Sequence, residues 1–286
     1  MHLLGLDISD RRVIGVVVDG DGTVVRRARV DGATSNAGAI AGELAAGLAI
    51  DAFGVSIEHQ TGKAAAPASI KGGPPAVSCT PGIAAVTAEV WIGAARGARH
   101  AVCLKVGDRV FAGILLDGRP WSGAHGLAGS AAWLALNPVE RQDYRKFGSL
   151  AAEVSSDGIA RRLSWRIQAG DPSAVLERAG DLESITAAHV FDGARAGDGV
   201  SISVVRETAK YIGMALANLA ACIDPDVIVL SGDAAVAADL LFDAVRHDYI
   251  RRVPPTMADQ VRFAVSPFAD DGVAIGAARF AALARA

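Results

Sequence analysis

One carboxylate and two imidazole side chains stand at strand-end or glycine-flanked positions of the sequence. Glu58 and His59 directly follow or end the strand-like segment AFGVSIE, and His125 lies in the segment GAHG. A carboxylate and imidazoles can act as general acid and base when a fold brings them together. Because ligands often bind at strand ends, these residues are candidate substrate-binding residues. The alternative, in which all three are surface or hydrogen-bonded residues without a catalytic role, stays open.

Two series of short strands and turns must position such residues. The segments HLLGLDIS, VIGVVVDG and TVVRRARV are separated by tight turns, which predicts a β-meander in the first 30 residues. A second pair of strands begins near Cys103 with AVCLKVG and VFAGILLDG. Each series is followed by helical sequence, so the chain is organised as two α/β halves.

Between and after these strands the pattern alternates further. We expect a helix over about 37–50, the strand AFGVSIE, a Gly/Pro-rich loop over 62–81 and a helix over 83–96. Apolar residues recur at steps of three and four over 204–223, which predicts a buried helix that Pro225 terminates. The strand VIVLSGD and a final helix in DDGVAIGAARFAALARA follow.

Composition and charge exclude several classes of protein. The 286 residues are 51% hydrophobic, with 32 glycines and a net charge of −3 without any long run of like charge. Such a chain forms one large or two modest α/β domains and is not expected to bind nucleic acid. No apolar run reaches the roughly 18 residues of a membrane helix. The odd number of cysteines, Cys79, Cys103 and Cys222, and the lack of a basic leader predict a cytoplasmic location.

Three parts of the sequence resemble the ROK (repressor, open reading frame, kinase) family of sugar kinases. LGLDIS with VIGVVVDGDG looks like the first phosphate loop of the superfamily of sugar kinases, heat-shock proteins and actin. GILLDGRPWSGAHGLAGS is similar to the ROK signature, and ETAKYIGMALANLAACIDPDVIVLSGD with DDGVAIGAA resembles the second half of the family. The resemblance covers nearly the whole chain and is stronger after the signature.

The resemblance implies an α/β fold of the two-lobed actin-like ATPase or sugar kinase type, with ribonuclease H-like lobes and an interlobe cleft. The small lobe would comprise residues 1–106, completed by a C-terminal helix at 270–286. Residues 107–269 would form the large lobe. It also implies a homodimer, formed through the large lobe. A ROK repressor is not expected, because such repressors carry DNA-binding helices ahead of the first strand. In this sequence the first strand begins at His2.

The phosphate loops that the resemblance implies are altered. Asp7 matches the first strand's Asp, but the Gly-Gly-Thr-Lys that follows in ROK kinases is Ser-Asp-Arg-Arg at 9–12. The second loop matches 107–113, where Gly107 is kept and most other glycines are replaced. Asp7, Gly107, Gly232 and Asp233 are the nucleotide or phosphate candidates. Alternatively, Asp7 only ends a strand and 107–113 is only a hairpin turn.

The catalytic base of the family has no counterpart in the alignment. In ROK kinases an Asp at the start of a helix accepts the proton of the attacking sugar hydroxyl. Thr80 matches the preceding Asn and Pro81 matches this Asp, provided that no gap separates Pro81 from Glu89. Proline cannot accept a proton, so the catalytic residue is unknown.

The zinc and sugar positions of the family are changed as well. The one His and three Cys that bind zinc in many ROK proteins match Trp133, Gln142, Tyr144 and Ser149, so no zinc is expected. Family carboxylates that contact sugar match Ser130 and Ala151. Ser130 and Trp133 remain substrate-binding candidates, since a Trp can stack on a sugar, although a buried core Trp is the alternative.

These changes leave three functional hypotheses. The preferred one is a pseudokinase that binds a carbohydrate or small metabolite or acts in regulation. The second is an active carbohydrate kinase with an atypical base, which would need ATP and Mg²⁺. The third is a different enzyme that uses Glu58, His59 and His125. The first is preferred because the base, phosphate glycines, zinc ligands and sugar carboxylates are lost together.

Overall fold

The computed structural model describes residues 1–32, 37–57 and 66–285. Its strands are β1 (Leu3–Ile8), β2 (Arg12–Val18), β3 (Val24–Asp31), β4 (Ala52–Ile57), β5 (Ala76–Cys79), β6 (Ala101–Val106), β7 (Phe111–Leu116), β8 (Arg119–Pro120), β9 (Val227–Gly232) and β10 (Arg262–Val265).

The helices lie mainly in the second half of the chain. They are α1 (Ala37–Ala45), α2 (Pro81–Trp91), α3 (Gln142–Phe147), α4 (Ser149–Val154), α5 (Ser156–Gln168), α6 (Val175–Ala179), α7 (Ala187–Arg195), α8 (Gly199–Ile223), α9 (Asp233–Val236), α10 (Ala238–Ile250), α11 (Pro255–Gln260) and α12 (Gly272–Leu283). A short 3₁₀ helix spans Ala131–Trp133. None of the helices in the described ranges has the length and apolarity of a membrane span.

The chain divides into two compact units. The first comprises residues 1–103, 113–129 and 266 onward, and the second comprises 104–112 and 130–265. The expected lobes, a small one of 1–106 completed by 270–286 and a large one of 107–269, stay a prediction.

The first unit is built on a mixed sheet with the order β3-β2-β1-β4-β5. The antiparallel pairing of β1 with β2 and of β2 with β3 confirms the predicted meander. Strand β4 is parallel to both β1 and β5. One face packs Leu4, Leu6 and Phe53 against α1, and the other packs Leu3 and Ile14 against the small residues of α12. The sheet is therefore covered by helices on both sides.

Helix α12 lies unusually close to its neighbours because glycines remove side chains at the contacts. A Cβ atom built on Gly276 would overlap the backbone carbonyl oxygen of Ala84 in α2. A Cβ on Gly54 would similarly overlap the carbonyl oxygen of Ala277. The glycine- and alanine-rich sequence of this last helix thus allows backbone-to-backbone packing in the first unit.

A second sheet has the order β10-β9-β6-β7-β8, with β9 and β10 parallel. In the second unit α8 buries Val204, Thr208, Ile212 and Leu216 and packs against α10 and α7. The Asp198 side chain caps the helix by accepting from the Ser201 N–H at 2.8 Å, and Asp224 ends it with φ 51°. The predicted helix over 204–223 is confirmed and is longer at its start.

The segment between β4 and α2 differs from the sequence expectation. The predicted loop over 62–81 contains β5, which pairs with β4 and has no alternating pattern of its own. Helix α2 begins at Pro81 and ends at Trp91, rather than spanning 83–96. Helix α1 ends at Ala45 rather than near residue 50, because Gly47 adopts φ 72°.

Candidate functional site

Three buried polar side chains lie side by side at the carboxyl edge of the first sheet. Asp7, Ser56 and Cys79 are register partners on β1, β4 and β5, with relative exposures of 1%, 0% and 6%. The Ser56 Oγ has no hydrogen-bond partner within the described ranges. Burial, with the nearby Asp7 charge, raises the pKa of Cys79 to about 12. The thiol therefore stays protonated at neutral pH and cannot serve as a thiolate nucleophile.

The position aligned with the family base lies directly after this edge. Pro81 is buried and is the first residue of α2. Thr80 is the N-cap, and its side chain accepts a hydrogen bond of 3.4 Å from the Ile83 N–H. Proline suits the first helical turn because its missing N–H would have no helical partner there. The local sequence thus builds a good helix start and places no proton acceptor at residue 81.

The turn between β1 and β2 uses its own polar groups. The Ser9 N–H donates to the Arg12 carbonyl oxygen at 3.0 Å, and the Arg12 N–H donates to Ser9 Oγ at 3.2 Å. The Arg12 guanidinium pairs with Asp270 at 3.3 Å, and Asp10 is exposed. These two backbone N–H groups are thus already bonded within the turn, and the turn presents a carboxylate.

A second cluster of polar residues lies in the second unit, around Gly107 and Asp233. The Ser156 Oγ donates to Asp233 Oδ2 at 2.6 Å, and the Ser156 N–H donates to the Gly107 carbonyl oxygen at 2.9 Å. A Cβ on Gly107 would lie 3.4 Å from Asp233 Oδ1. Gly232, which precedes Asp233, adopts φ 72°. The structure therefore brings three of the nucleotide candidates together, with a carboxylate beside the glycine.

Two large side chains, Arg109 and Phe111, pack together in the rest of the 107–113 segment. Phe111 is only 8% exposed, and the Arg109 guanidinium lies 5.6 Å from its ring centroid. The Lys105 ammonium lies 5.9 Å from the same centroid, and Lys105 is 2% exposed. Both cations lie over the Phe111 ring, so this hairpin is packed with side chains.

The residues aligned with the zinc ligands form different contacts. Tyr144 donates its hydroxyl hydrogen to Glu153 Oε1 at 2.5 Å, and Arg141 Nη1 lies 3.1 Å from the same oxygen. Burial, with the Glu153 hydrogen bond, raises the pKa of Tyr144 well above its usual value. Gln142 begins α3 and Ser149 begins α4.

This polar network extends across the second unit. Arg141 pairs with Asp143 at 2.6 Å, which holds the pKa of Asp143 below its usual range. Arg162, itself 7% exposed, lies 3.7 Å from Glu153 and 3.4 Å from Glu207 of α8. Helices α3, α4, α5 and α8 are thereby connected by charged groups in the part of the chain that aligns with the zinc ligands of the family.

We expect the purified protein to contain no stoichiometric zinc. In the described ranges no group of three His, Cys, Asp or Glu side chains could hold a metal ion. Elemental analysis by mass spectrometry checks this, with a chelator-treated sample as the control. About one zinc per chain that resists buffer exchange would show that the alignment of Trp133 to Ser149 is wrong.

The remaining candidates lie in separate parts of the chain. Glu58 and His59 lie outside these residues, so the acid/base cluster with His125 stays a prediction. His125 is exposed in the first unit. Ser130 is half-buried before the 3₁₀ helix. Trp133 is 48% exposed, so its interpretation as a core side chain is wrong, because the short helix leaves the indole at the surface.

Sequence reasoning missed the partners that complete these groups. Ser56 and Ser156 look like ordinary strand and helix-start residues, and Glu153 lies in an unremarkable helical segment. The segment Ser-Ser-Asp-Gly at 155–158 does carry a helix N-cap signal, and Ser155 indeed caps α5 by accepting from Gly158. That signal predicts the helix start but not the contact with Asp233.

The two sheets, their order and the loops at their edges define an α/β protein with the two-lobed fold of sugar kinases and actin-like ATPases. The ROK family model matches residues 82–284, and the chain belongs to the ROK family. The chain is 30% identical over 194 residues to a glucokinase of Halalkalibacterium halodurans, covering 67% of this chain and 59% of that protein. It thus spans about three fifths of the length of this relative.

Solved structures show the same fold. A ROK family glucokinase from Streptomyces griseus, in complex with glucose and AMPPNP, superposes with a TM-score of 0.83 at 20% identity, covering 99% of this chain and 100% of that one. A ROK family transcriptional regulator, a homologue of the Escherichia coli MLC protein, gives 0.81 at 20% identity, covering 97% of this chain and 76% of that one. The family therefore includes relatives described as kinases and as regulators.

Proposed function

We propose that this chain is a ROK pseudokinase, which binds a carbohydrate or another small metabolite and does not transfer a phosphoryl group. The observation that carries the proposal is Pro81 at the first position of α2, where the family pattern has its catalytic Asp. A positioned general base contributes about 100- to 10,000-fold to the rate of such reactions. Thr80 does not supply this function, because a hydroxyl is a poor proton acceptor and its oxygen caps the helix.

The phosphate positions support the same proposal. Phosphoryl transfer depends on donors and cations that surround the phosphates. Here Asp10 and Asp233 put carboxylates at the two loops, and the Ser9 and Arg12 N–H groups bond within their own turn. The first loop therefore offers a phosphate group fewer backbone donors than the glycine-rich loop of the family pattern.

The alternative is an active carbohydrate kinase with a base at another position. It is favoured by the glucokinase of H. halodurans, which is 30% identical to the chain. A different enzyme that uses Glu58, His59 and His125 is a further proposal. Three further expectations also stay predictions: a homodimer, a cytoplasmic location and the absence of nucleic-acid binding. Light scattering on the purified protein would measure whether it is a dimer.

The kinase assay separates the proposal from the first alternative. With ATP, Mg²⁺ and glucose, mannose, N-acetylglucosamine or N-acetylmannosamine, we expect no phosphoryl transfer above background, measured by mass spectrometry of the sugar phosphate. The double variant Thr80→Asn with Pro81→Asp should not restore activity, because Asp10 and the filled loop at 107–113 would still misplace the nucleotide.

Suppose that sugar phosphate forms, that the kinase activity co-elutes with the unmodified protein, and that Asp7→Asn abolishes it. This result would overturn the proposal and make the kinase alternative correct. The Asp7→Asn variant serves to exclude a contaminating kinase, whose activity would not change. A thermal-shift screen with sugars and amino sugars tests the binding function independently, since a ligand of the folded state raises the Tm.

A further inference from the structure

A cavity of about 380 Å³ lies within the second unit, between α10, α11 and the start of β10. Its lining comprises Phe242 and Arg246 of α10 and the segment 258–263, which runs from the end of α11 into β10. None of these residues is among the nucleotide or substrate candidates described above. The volume falls in the range of small-molecule sites, about 300–1,000 Å³.

One part of the lining is aromatic and held in place by the core. The ring centroids of Phe242 and Phe263 are 6.5 Å apart in an edge-to-face arrangement. Phe263 also contacts the fully buried Tyr249, with ring centroids 4.8 Å apart. Both phenylalanines are only half-buried, so a ligand can reach their rings. An apolar group that binds here would meet a wall that is already ordered.

Two exposed side chains of opposite charge line the same cavity. Arg246 follows Phe242 by one helical turn, and Asp259 belongs to α11. Within the described ranges neither side chain forms an ion pair or a hydrogen bond, with the other or with any residue. By contrast, Arg252, just after α10, pairs with Asp248 at 3.2 Å. The cavity therefore offers a ligand one cation and one anion that the chain itself does not pair.

We propose that this cavity binds a free amino acid with an apolar or aromatic side chain. The carboxylate and the ammonium of such a ligand are attached to one carbon atom, and they match the charges of Arg246 and Asp259. Its side chain would pack against the two phenylalanine rings and bury apolar surface there. Arg262, a third charged lining residue, already has an interaction within the chain, so Arg246 is the guanidinium left for the ligand.

A ligand with only one of the two charges would leave the other lining charge unmatched, which is the basis of the expected selectivity. Glycine would match both charges but would leave the aromatic wall uncovered. Binding at this cavity goes beyond the proposed function, because it involves neither Pro81 nor the phosphate positions. It is expected whether or not the chain transfers a phosphoryl group.

The test measures the affinity of defined ligands for the full chain. Isothermal titration calorimetry, with ligand-observed NMR for weak binding, is done with L-phenylalanine and L-leucine. The comparison ligands are 3-phenylpropionate, which lacks the ammonium, 2-phenylethylamine, which lacks the carboxylate, and glycine. The variants are Arg246→Gln and Asp259→Asn. Their matched controls are Arg251→Gln and Asp243→Asn, since both residues are exposed, belong to α10 or its C-cap, and do not line the cavity.

We expect L-phenylalanine or L-leucine to bind with a Kd of about 1 mM or lower. Arg246→Gln and Asp259→Asn should each weaken this binding at least about tenfold, the loss expected for one hydrogen bond between charged groups. The two controls should keep the affinity of the unmodified protein. Glycine and the two singly charged ligands should bind at least about tenfold more weakly than the amino acid that binds best. Circular dichroism establishes that each variant is folded.

Three results would each overturn the proposal. The first is that neither amino acid binds at concentrations up to about 10 mM. The second is that the folded Arg246 and Asp259 variants bind as tightly as their controls, which would place any binding elsewhere on the chain. The third is that 3-phenylpropionate, 2-phenylethylamine or glycine binds as tightly as the best amino acid, since the cavity would then not recognise both charges and the side chain together.

Discussion

Gly276→Ala is expected to lower the free energy of unfolding by about 3 kcal/mol, the upper range for overpacking a buried contact. The added Cβ would overlap the backbone carbonyl oxygen of Ala84. A backbone atom cannot rotate away as a side chain can, so α12 and α2 would have to separate. Chemical denaturation of the two proteins measures the change.

The control for this prediction is Gly42→Ala in α1. Gly42 is exposed, lies within a helix and has no atom within 4 Å of its Cβ position. Alanine there should increase stability by about 0.5–1 kcal/mol, because it restricts the unfolded chain and favours the helix. If Gly276→Ala lowers the free energy of unfolding by no more than Gly42→Ala changes it, α12 packs less closely than described.

Much of the fold could be predicted because its signals are local. The alternation and turns of the first 30 residues indicated the meander, and steps of three and four indicated α8. Strand β5 was missed because its four residues follow a Gly/Pro-rich run and show no alternation. Its strand conformation depends on pairing with β4, which is a tertiary contact.

The candidate site could be predicted only where the type of residue at an aligned position decides the chemistry by itself. Pro81 needed an alignment and no geometry, since proline excludes a base wherever its side chain points. The Ser156–Asp233 hydrogen bond could not be predicted, because 77 residues separate its partners and neither has an unusual local sequence. Trp133 shows the same limit, because its exposure depends on how the 3₁₀ helix packs.

The lost zinc positions raise the question of what holds this region together instead. Glu153 is 2% exposed and meets the Tyr144 hydroxyl at 2.5 Å, Arg141 at 3.1 Å and Arg162 at 3.7 Å. A buried carboxylate with several cationic or donor partners balances charges that could not otherwise leave water. We therefore regard Glu153 as the centre of a polar network that connects α3, α4 and α5.

Glu153→Ala should lower the free energy of unfolding by about 3 kcal/mol, the low end for breaking a buried ion pair, because Arg162 then keeps the 53% exposed Glu207 as its carboxylate partner. Arg162, at 7% exposure, cannot recover its hydration without local opening. Glu153→Gln should lower the free energy of unfolding less, since the amide oxygen can still accept from Tyr144.

The matched control is Glu140→Ala. The Glu140 side chain is 71% exposed and pairs with the exposed Arg145. That change should cost at most about 1 kcal/mol. Denaturant unfolding of the three variants measures the order, and equal losses for Glu153→Ala and Glu140→Ala would remove Glu153 from the centre of the network.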